Sequence, residues 1–362
     1  RIAPTMVQGC YFMLVLAVAL FAASQYFSPI ILRDIIESPQ VYGATVDYLH
    51  WRTYGIFFSF LCVMFRAYYV GITQTKILTV NSIVMLLSNV ALNYCLIFGK
   101  GGFPAAGIAG AAIASSVSEA VSLLFFIIYT SMTADKRKYG FRRAFTLRPH
   151  LLKGMLSISG WTMVQSFISV SIWFIFFLAI EHLGERPLAV TNIVRNISAL
   201  LIMVISAFAT TAGALISNQI GAGEQRCLFK TCGMTLKLTY AILIPLLIIL
   251  CLFPEPVLRA FTDSPSLIAA SVNSVYVMAS STLIMAPSFI LFNAVSGTGN
   301  TKAGFIMEMI SLAVYTAVIY YGIIRLKPDV ALCWFSEHVY GVTLIILAWW
   351  YLKSGKWRGK KV

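Results

Sequence analysis

The sequence is poor in charge: Asp, Glu, Lys and Arg make up 11% of its 362 residues, too few to clothe the two or three soluble domains this length would otherwise suggest. Acids are scarcest, 13 against 27 Lys and Arg, giving a net charge of +14. Histidine occurs only four times, and only His338 falls in an apolar run, with neither His-Glu-x-x-His nor Gly-x-Ser-x-Gly beside it. That argues against a membrane-embedded acyltransferase or protease, and the chain is read as a non-enzyme. The seven cysteines (10, 62, 95, 227, 232, 251 and 333) form no Cys-x-x-Cys pair and have no His-rich neighbourhood. They read as small buried hydrophobes, with no metal and no cofactor expected. Short alternating strands of the kind that build outer-membrane barrels are missing. No signal-peptide pattern opens the chain, which starts at Arg1 instead of methionine and is expected to be a fragment.

What the sequence has is hydrophobicity: 59% apolar residues and a mean hydropathy of +0.84. Apolar runs near 7–27, 46–70, 77–98, 107–133, 151–180, 188–217, 233–253, 271–296, 303–324 and 330–352 are each of the order of the ~20 residues that cross a bilayer as a helix. The expected fold class is therefore all-α and polytopic. Ten spans put both ends on one side of the membrane. The side holding Arg1, Lys76, the 134–153 loop, the 218–237 loop, Lys302 and the C-terminal tail has most of the basic residues and only two acids, Asp135 and Glu224. By the positive-inside rule that side, with both visible ends, is cytoplasmic. The basic residues lie in short pieces between apolar runs, so orientation explains the net charge without a nucleic-acid partner.

Sliding the chain on itself by 226 residues superposes Leu32 on Leu258, Arg33 on Arg259, Ser38 on Ser264 and Pro39 on Pro265. The match ends on a shared turn, Gly71-Ile-Thr-Gln-Thr-Lys76 against Gly297-Thr-Gly-Asn-Thr-Lys302. Identities at Pro and Gly turns carry weight because backbone geometry restricts the choice there. An even number of spans separates the turns, so the repeats are parallel, as in transporters whose halves are related by an axis along the membrane normal. The expected organisation is an incomplete four-helix N-terminal lobe, 1–133, a cytoplasmic connector, 134–150, a six-helix C-terminal lobe, 151–352, and a basic tail, 353–362. The offset implies about 75 residues before Arg1, two more helices, and twelve in all as two six-helix bundles.

Several stretches resemble the multidrug and toxic compound extrusion (MATE) family. Asn89-Val-Ala-Leu-Asn93-Tyr-Cys-Leu-Ile-Phe-Gly99 and Gly107-Ile-Ala-Gly-Ala-Ala-Ile-Ala-Ser115 are similar to that family's fifth helix and the start of its sixth. Ser217-Asn-Gln-Ile-Gly-Ala-Gly223 resembles the turn after its eighth helix, and Gly297-Thr-Gly-Asn-Thr-Lys302 the turn after its tenth. The resemblance runs over essentially the whole chain in order. It implies a plasma-membrane exporter (inner membrane in a bacterium) of amphipathic, often cationic drugs and toxins, driven by proton or sodium antiport with alternating access, and expected to be a monomer in the lipid bilayer. A lipid-linked oligosaccharide flippase of the same wider superfamily is the alternative reading. Where the family often has Asn-x-x-x-Asp in the fifth helix, this chain has Asn89 and Asn93. The seventh- and tenth-helix acids of one bacterial branch fall on Gln165 and Met285, which removes both of that branch's C-terminal coupling acids.

Five charges remain inside the slab, Arg66, Arg195, Glu119, Glu308 and Glu337; each costs at least ~2.5–3.5 kcal/mol on insertion scales unless partnered, hydrated or snorkelling. Glu119 reads either as a proton-responsive carboxylate or as a structural acid. Glu337 has the same two readings, the structural one bonded to neighbouring hydroxyls or, near its helix start, reaching outer water; Glu308 is expected to snorkel or pair locally and Arg195 to balance an acid or snorkel, so that Arg195, Glu308 and Glu337 are candidates for charge balancing. Asn89, Asn93, Gln165 and Glu119 are candidates for substrate or cation binding, interhelical amide bonding being the alternative for the three amides. Trp161, Trp173 and Tyr94 are candidate walls for flat cations, and Pro287 a candidate bend.

Overall fold

The computed structural model describes residues 2–35, 39–133, 146, 148–355 and 357, and every regular element among them is a helix. Most of the expected connector and tail falls outside the described residues. The chain forms two compact units, Arg1–Met155 and Leu156–Val362. Nine helices are long and apolar enough to cross a membrane among the described residues, or ten if one bent pair counts as a single span.

The first unit contains α1 (Ile2–Ile35), α2 (Pro39–Arg52), α3 (Gly55–Gly71), α4 (Lys76–Phe98) and α5 (Gly107–Thr133). Helix α5 packs against α2, α3 and α4. Its core is Met6, Cys62, Tyr68, Tyr69, Ile77, Leu123 and Phe126, with Phe65 and Phe126 stacked at 5.6 Å across α3 and α5. The span expected over 46–70 is built from α2 and α3, which meet at a 45° bend. A bend strands carbonyls that a continuous helix would satisfy. Here Ser116 of α5 donates its hydroxyl to the Trp51 carbonyl at 3.0 Å. Gln25 of α1 donates to the Thr53 hydroxyl at 2.9 Å. Neighbouring helices thus hold the break in place.

The second unit continues with α6 (Pro149–Glu181), in which the boundary between the units falls, then α7 (Glu185–Gly221), α8 (Leu228–Leu252), α9 (Pro254–Arg259), α10 (Pro265–Gly297), α11 (Thr301–Val318), α12 (Val330–Cys333) and α13 (Ser336–Ser354). Helix α11 runs into a π-helical stretch, Ile319–Arg325. The last expected span is α12 and α13 joined by a turn at Trp334 and Phe335. Helices α7 and α10 make the tightest pairing. A Cβ built on Gly297 would lie 2.5 Å from the Gly213 carbonyl oxygen, so the crossing requires small residues. In a bilayer, where lipid is as apolar as leucine, such close backbone approach is a main source of helix association.

Helix α10 occupies 265–297, which the 226-residue offset pairs with 39–71, the extent of α2 and α3 together. The following turns also share a conformation, since Thr73 has φ +60° where Gly299 has φ +78°. A left-handed threonine costs ~1–3 kcal/mol, so the first copy keeps the turn with a less suitable residue. Pro287 does not interrupt α10. Its missing N–H leaves the Leu283 carbonyl without an intrahelical donor, and the Tyr240 hydroxyl of α8 donates there at 2.7 Å.

Candidate functional site

Five helices of the second unit each turn one stripe onto a shared cavity of about 880 Å³. From α6 come Gln165, Ser166, Ser169, Val170 and Trp173; from α7, Ala199, Ile202, Met203, Ser206 and Thr210. Met285, Phe289, Phe292 and Asn293 project from α10, Glu308, Leu312 and Tyr315 from α11, and Glu337, Tyr340 and Leu344 from α13. Within each stripe the spacings of three, four and seven residues are those of one helical face.

The two acids are the charged residues of this lining, and no Lys, Arg or His belongs to it among the described residues. Glu308 is 4% exposed. Its Oε1 accepts hydrogen bonds from the Tyr340 hydroxyl at 2.8 Å and the Ser169 hydroxyl at 2.9 Å, while Oε2 is buried without a protein partner. Glu337 is 8% exposed, and its Oε1 accepts from the Tyr315 hydroxyl at 2.8 Å. The pattern is reciprocal: each carboxylate is held by a phenol of the other helix, and the two tyrosine rings meet edge to face at 5.8 Å. Buried carboxylates are tolerated when hydrogen-bonded, but their charge is then still uncompensated.

Both acids are bonded to neighbouring hydroxyls. Glu337, in the first turn of α13, lines the cavity and accepts the Tyr315 hydrogen bond. Glu308 does not snorkel; Ser169 and Tyr340 hold it inward. Gln165 lines the same cavity, as does Met285. Arg195 lies outside the lining and balances neither acid; its guanidinium sits 5.1 Å over the Phe177 ring, a cation–π contact. Of the candidate aromatic walls, Trp173 belongs to the cavity, whereas Trp161 packs on Phe305. Asn293 and the two tyrosines were not singled out from sequence.

The other candidates belong to the first unit. Asn93 donates to the Asn89 carbonyl oxygen at 2.9 Å, and Asn89 donates to the Ser115 hydroxyl at 3.4 Å. The i,i+4 amides do share one face, and the Asn93 side-chain oxygen is buried without a partner. Glu119 is half of a bidentate ion pair with Arg52, Oε2 at 3.0 Å from Nη1 and Oε1 at 2.7 Å from Nη2. It is the ion pair found among the described residues. Nothing in the sequence singled out Arg52, because the partners stand on different helices and meet only where α2 ends at the bend. No group of three or more His, Cys, Asp or Glu suited to a metal occurs among the described residues.

Long apolar helices in two units, one of them enclosing an acidic, aromatic cavity, define a polytopic α-helical membrane protein. The family model described as MatE matches residues 1–95 and 162–321, and the chain belongs to that family, whose members are transporters and not enzymes. It is 26% identical over 291 residues to a probable multidrug resistance protein NorM of Thermotoga maritima, a match covering 76% of this chain and 59% of that protein. The chain thus spans less than two thirds of that relative's length. A MOP superfamily transporter from Pyrococcus furiosus has the same fold, with a TM-score of 0.86 at 16% identity over 97% of this chain and 79% of that one. An outward-facing multidrug resistance MATE family transporter superposes with a TM-score of 0.82 at 15% identity, covering 98% and 83%.

Proposed function

We propose that the protein exports amphipathic organic cations across the plasma membrane, the inner membrane in a bacterium, by proton- or sodium-coupled antiport with alternating access. The observation that carries this reading is a drug-sized cavity with aromatic walls, two buried carboxylates and no basic side chain among the described residues. Trp173, Phe289 and Phe292 offer faces for a flat cation, and Glu308 and Glu337 offer the charge that would select it. A carboxylate that must be neutralised by either a proton, a sodium ion or a cationic substrate links the three by competition. Gln165, Asn89 and Asn93 then serve as neutral polar contacts. The same lining speaks against the flippase alternative, since a diphosphate-linked sugar would need cations where this cavity has acids.

The reading extends to organisation: two lobes, both visible ends cytoplasmic, and a monomeric working unit. The test is ethidium export by the full-length protein reconstituted in liposomes. Uphill export is expected under an imposed proton or sodium gradient, and it should collapse when both are dissipated. Dye movement indifferent to both gradients would end the antiport reading.

A further inference from the structure

The cavity has two acids where one would suffice for a monovalent cation, and their arrangement bears on what it binds. On α11 the stripe runs Glu308, Leu312, Tyr315, and on α13 it runs Glu337, Tyr340, Leu344. Glu308 and Tyr315 are seven residues apart, two turns or ~10 Å along the axis. Since Glu337 is bonded to Tyr315 while Glu308 is bonded to Tyr340, the two carboxylates hold different heights of one wall. They are not a side-by-side pair sharing a proton. Each is fixed by a donor from the opposite helix, so neither height is set by a single side chain's rotamer.

Charge gives the second constraint. Ionised carboxylates buried at 4% and 8% exposure, with no basic residue in the lining among the described residues, are costly to leave uncompensated. Phenol and serine hydroxyls donate hydrogen bonds but bring no positive charge. The Glu308 Oε2 atom is buried and without a protein partner, an acceptor whose capacity is unmet on a cavity-lining side chain. A monocation neutralises one acid and leaves the other to find a proton. A ligand with two separated cationic centres neutralises both.

We propose that this cavity is a two-point site for organic dications, with Glu308 and Glu337 each meeting one cationic centre and Trp173, Phe289 and Phe292 holding an aromatic body. The inference rests on the reading that the cavity takes organic cations, and goes beyond it by fixing the preferred charge and the residue that meets each centre.

The test compares ethidium with propidium, which has the same phenanthridinium ring plus a quaternary ammonium on a short chain. Binding of each dye to the full-length protein in detergent is measured by fluorescence. Propidium is expected to bind about tenfold more tightly. In Glu308→Gln and in Glu337→Gln, each nearly isosteric, that preference should fall to within about twofold, because one of the two anchoring charges is gone. The ratio of the two dyes is taken within each protein, so a partly unfolded variant does not mimic the result, and the wild-type ratio decides by itself if a variant fails to fold. Equal affinity of the two dyes in the wild type, or a preference that survives both substitutions, overturns the two-point site while leaving cation export standing. Failure of both dyes to bind overturns the export reading with it.

Discussion

At Gly55 a single methyl group is too much. A Cβ there would lie 2.2 Å from Arg52 Nη1 and 2.3 Å from Glu119 Oε2, so the ion pair occupies the space a side chain would need. Gly55→Ala is expected to push the pair apart and lower stability by ~1–3 kcal/mol, as overpacking of a fitted site does; a lowered thermal midpoint in detergent checks it. Glu119→Gln keeps the shape and loses the charge. Arg52 is about one third exposed, which screens the pair, so this variant should cost no more than Gly55→Ala. If Glu119→Gln proves much the worse of the two, the pair's charge and not its packing holds the bend. The sequence left Glu119 open between a proton-responsive carboxylate and a structural acid, and the structure pairs it with Arg52 at the bend.

At the level of elements, the informative contrast is between the bent α2 and α3 and the uninterrupted α10 that the repeat pairs with them. Helix α10 contains a proline, yet it is the copy that stays one helix, with its freed Leu283 carbonyl taken by Tyr240. This predicts a specific coupling. Tyr240→Phe should cost ~1 kcal/mol by removing the hydrogen bond to that carbonyl. In a Pro287→Ala background the restored N–H serves the same carbonyl, so Tyr240→Phe should cost much less. A double-mutant cycle on denaturation midpoints reads the difference directly, and strict additivity would show that the tyrosine is not serving that carbonyl.

For the whole molecule, the distribution of Lys and Arg predicts orientation. In a cysteine-free background, single cysteines at Glu224 and Lys302 should react with a membrane-impermeant maleimide only from the cytoplasmic side, and those at Asp263 and Lys327 only from outside. Labelling with the sides exchanged would invert the assigned topology. Much of this architecture was legible in the sequence. Bilayer thickness sets helix length, and Pro and Gly turns betray the repeat, because these are properties of a chain meeting a membrane one segment at a time. Other features were decided only by tertiary structure. Arg52 finds Glu119 across 67 residues, Glu337 is bonded to Tyr315, and the stripes of five helices converge on one cavity. In water, a helix declares its inner face by hydrophobic periodicity. Here lipid-facing residues such as Leu87 and Phe174 are as apolar as core residues such as Leu243 and Ile205, so the contrast that would mark the inner face is absent. Which face turned inward, and which acid met which phenol, was settled by small-residue packing and hydrogen bonds between helices, and those depend on partners that a linear sequence does not place side by side.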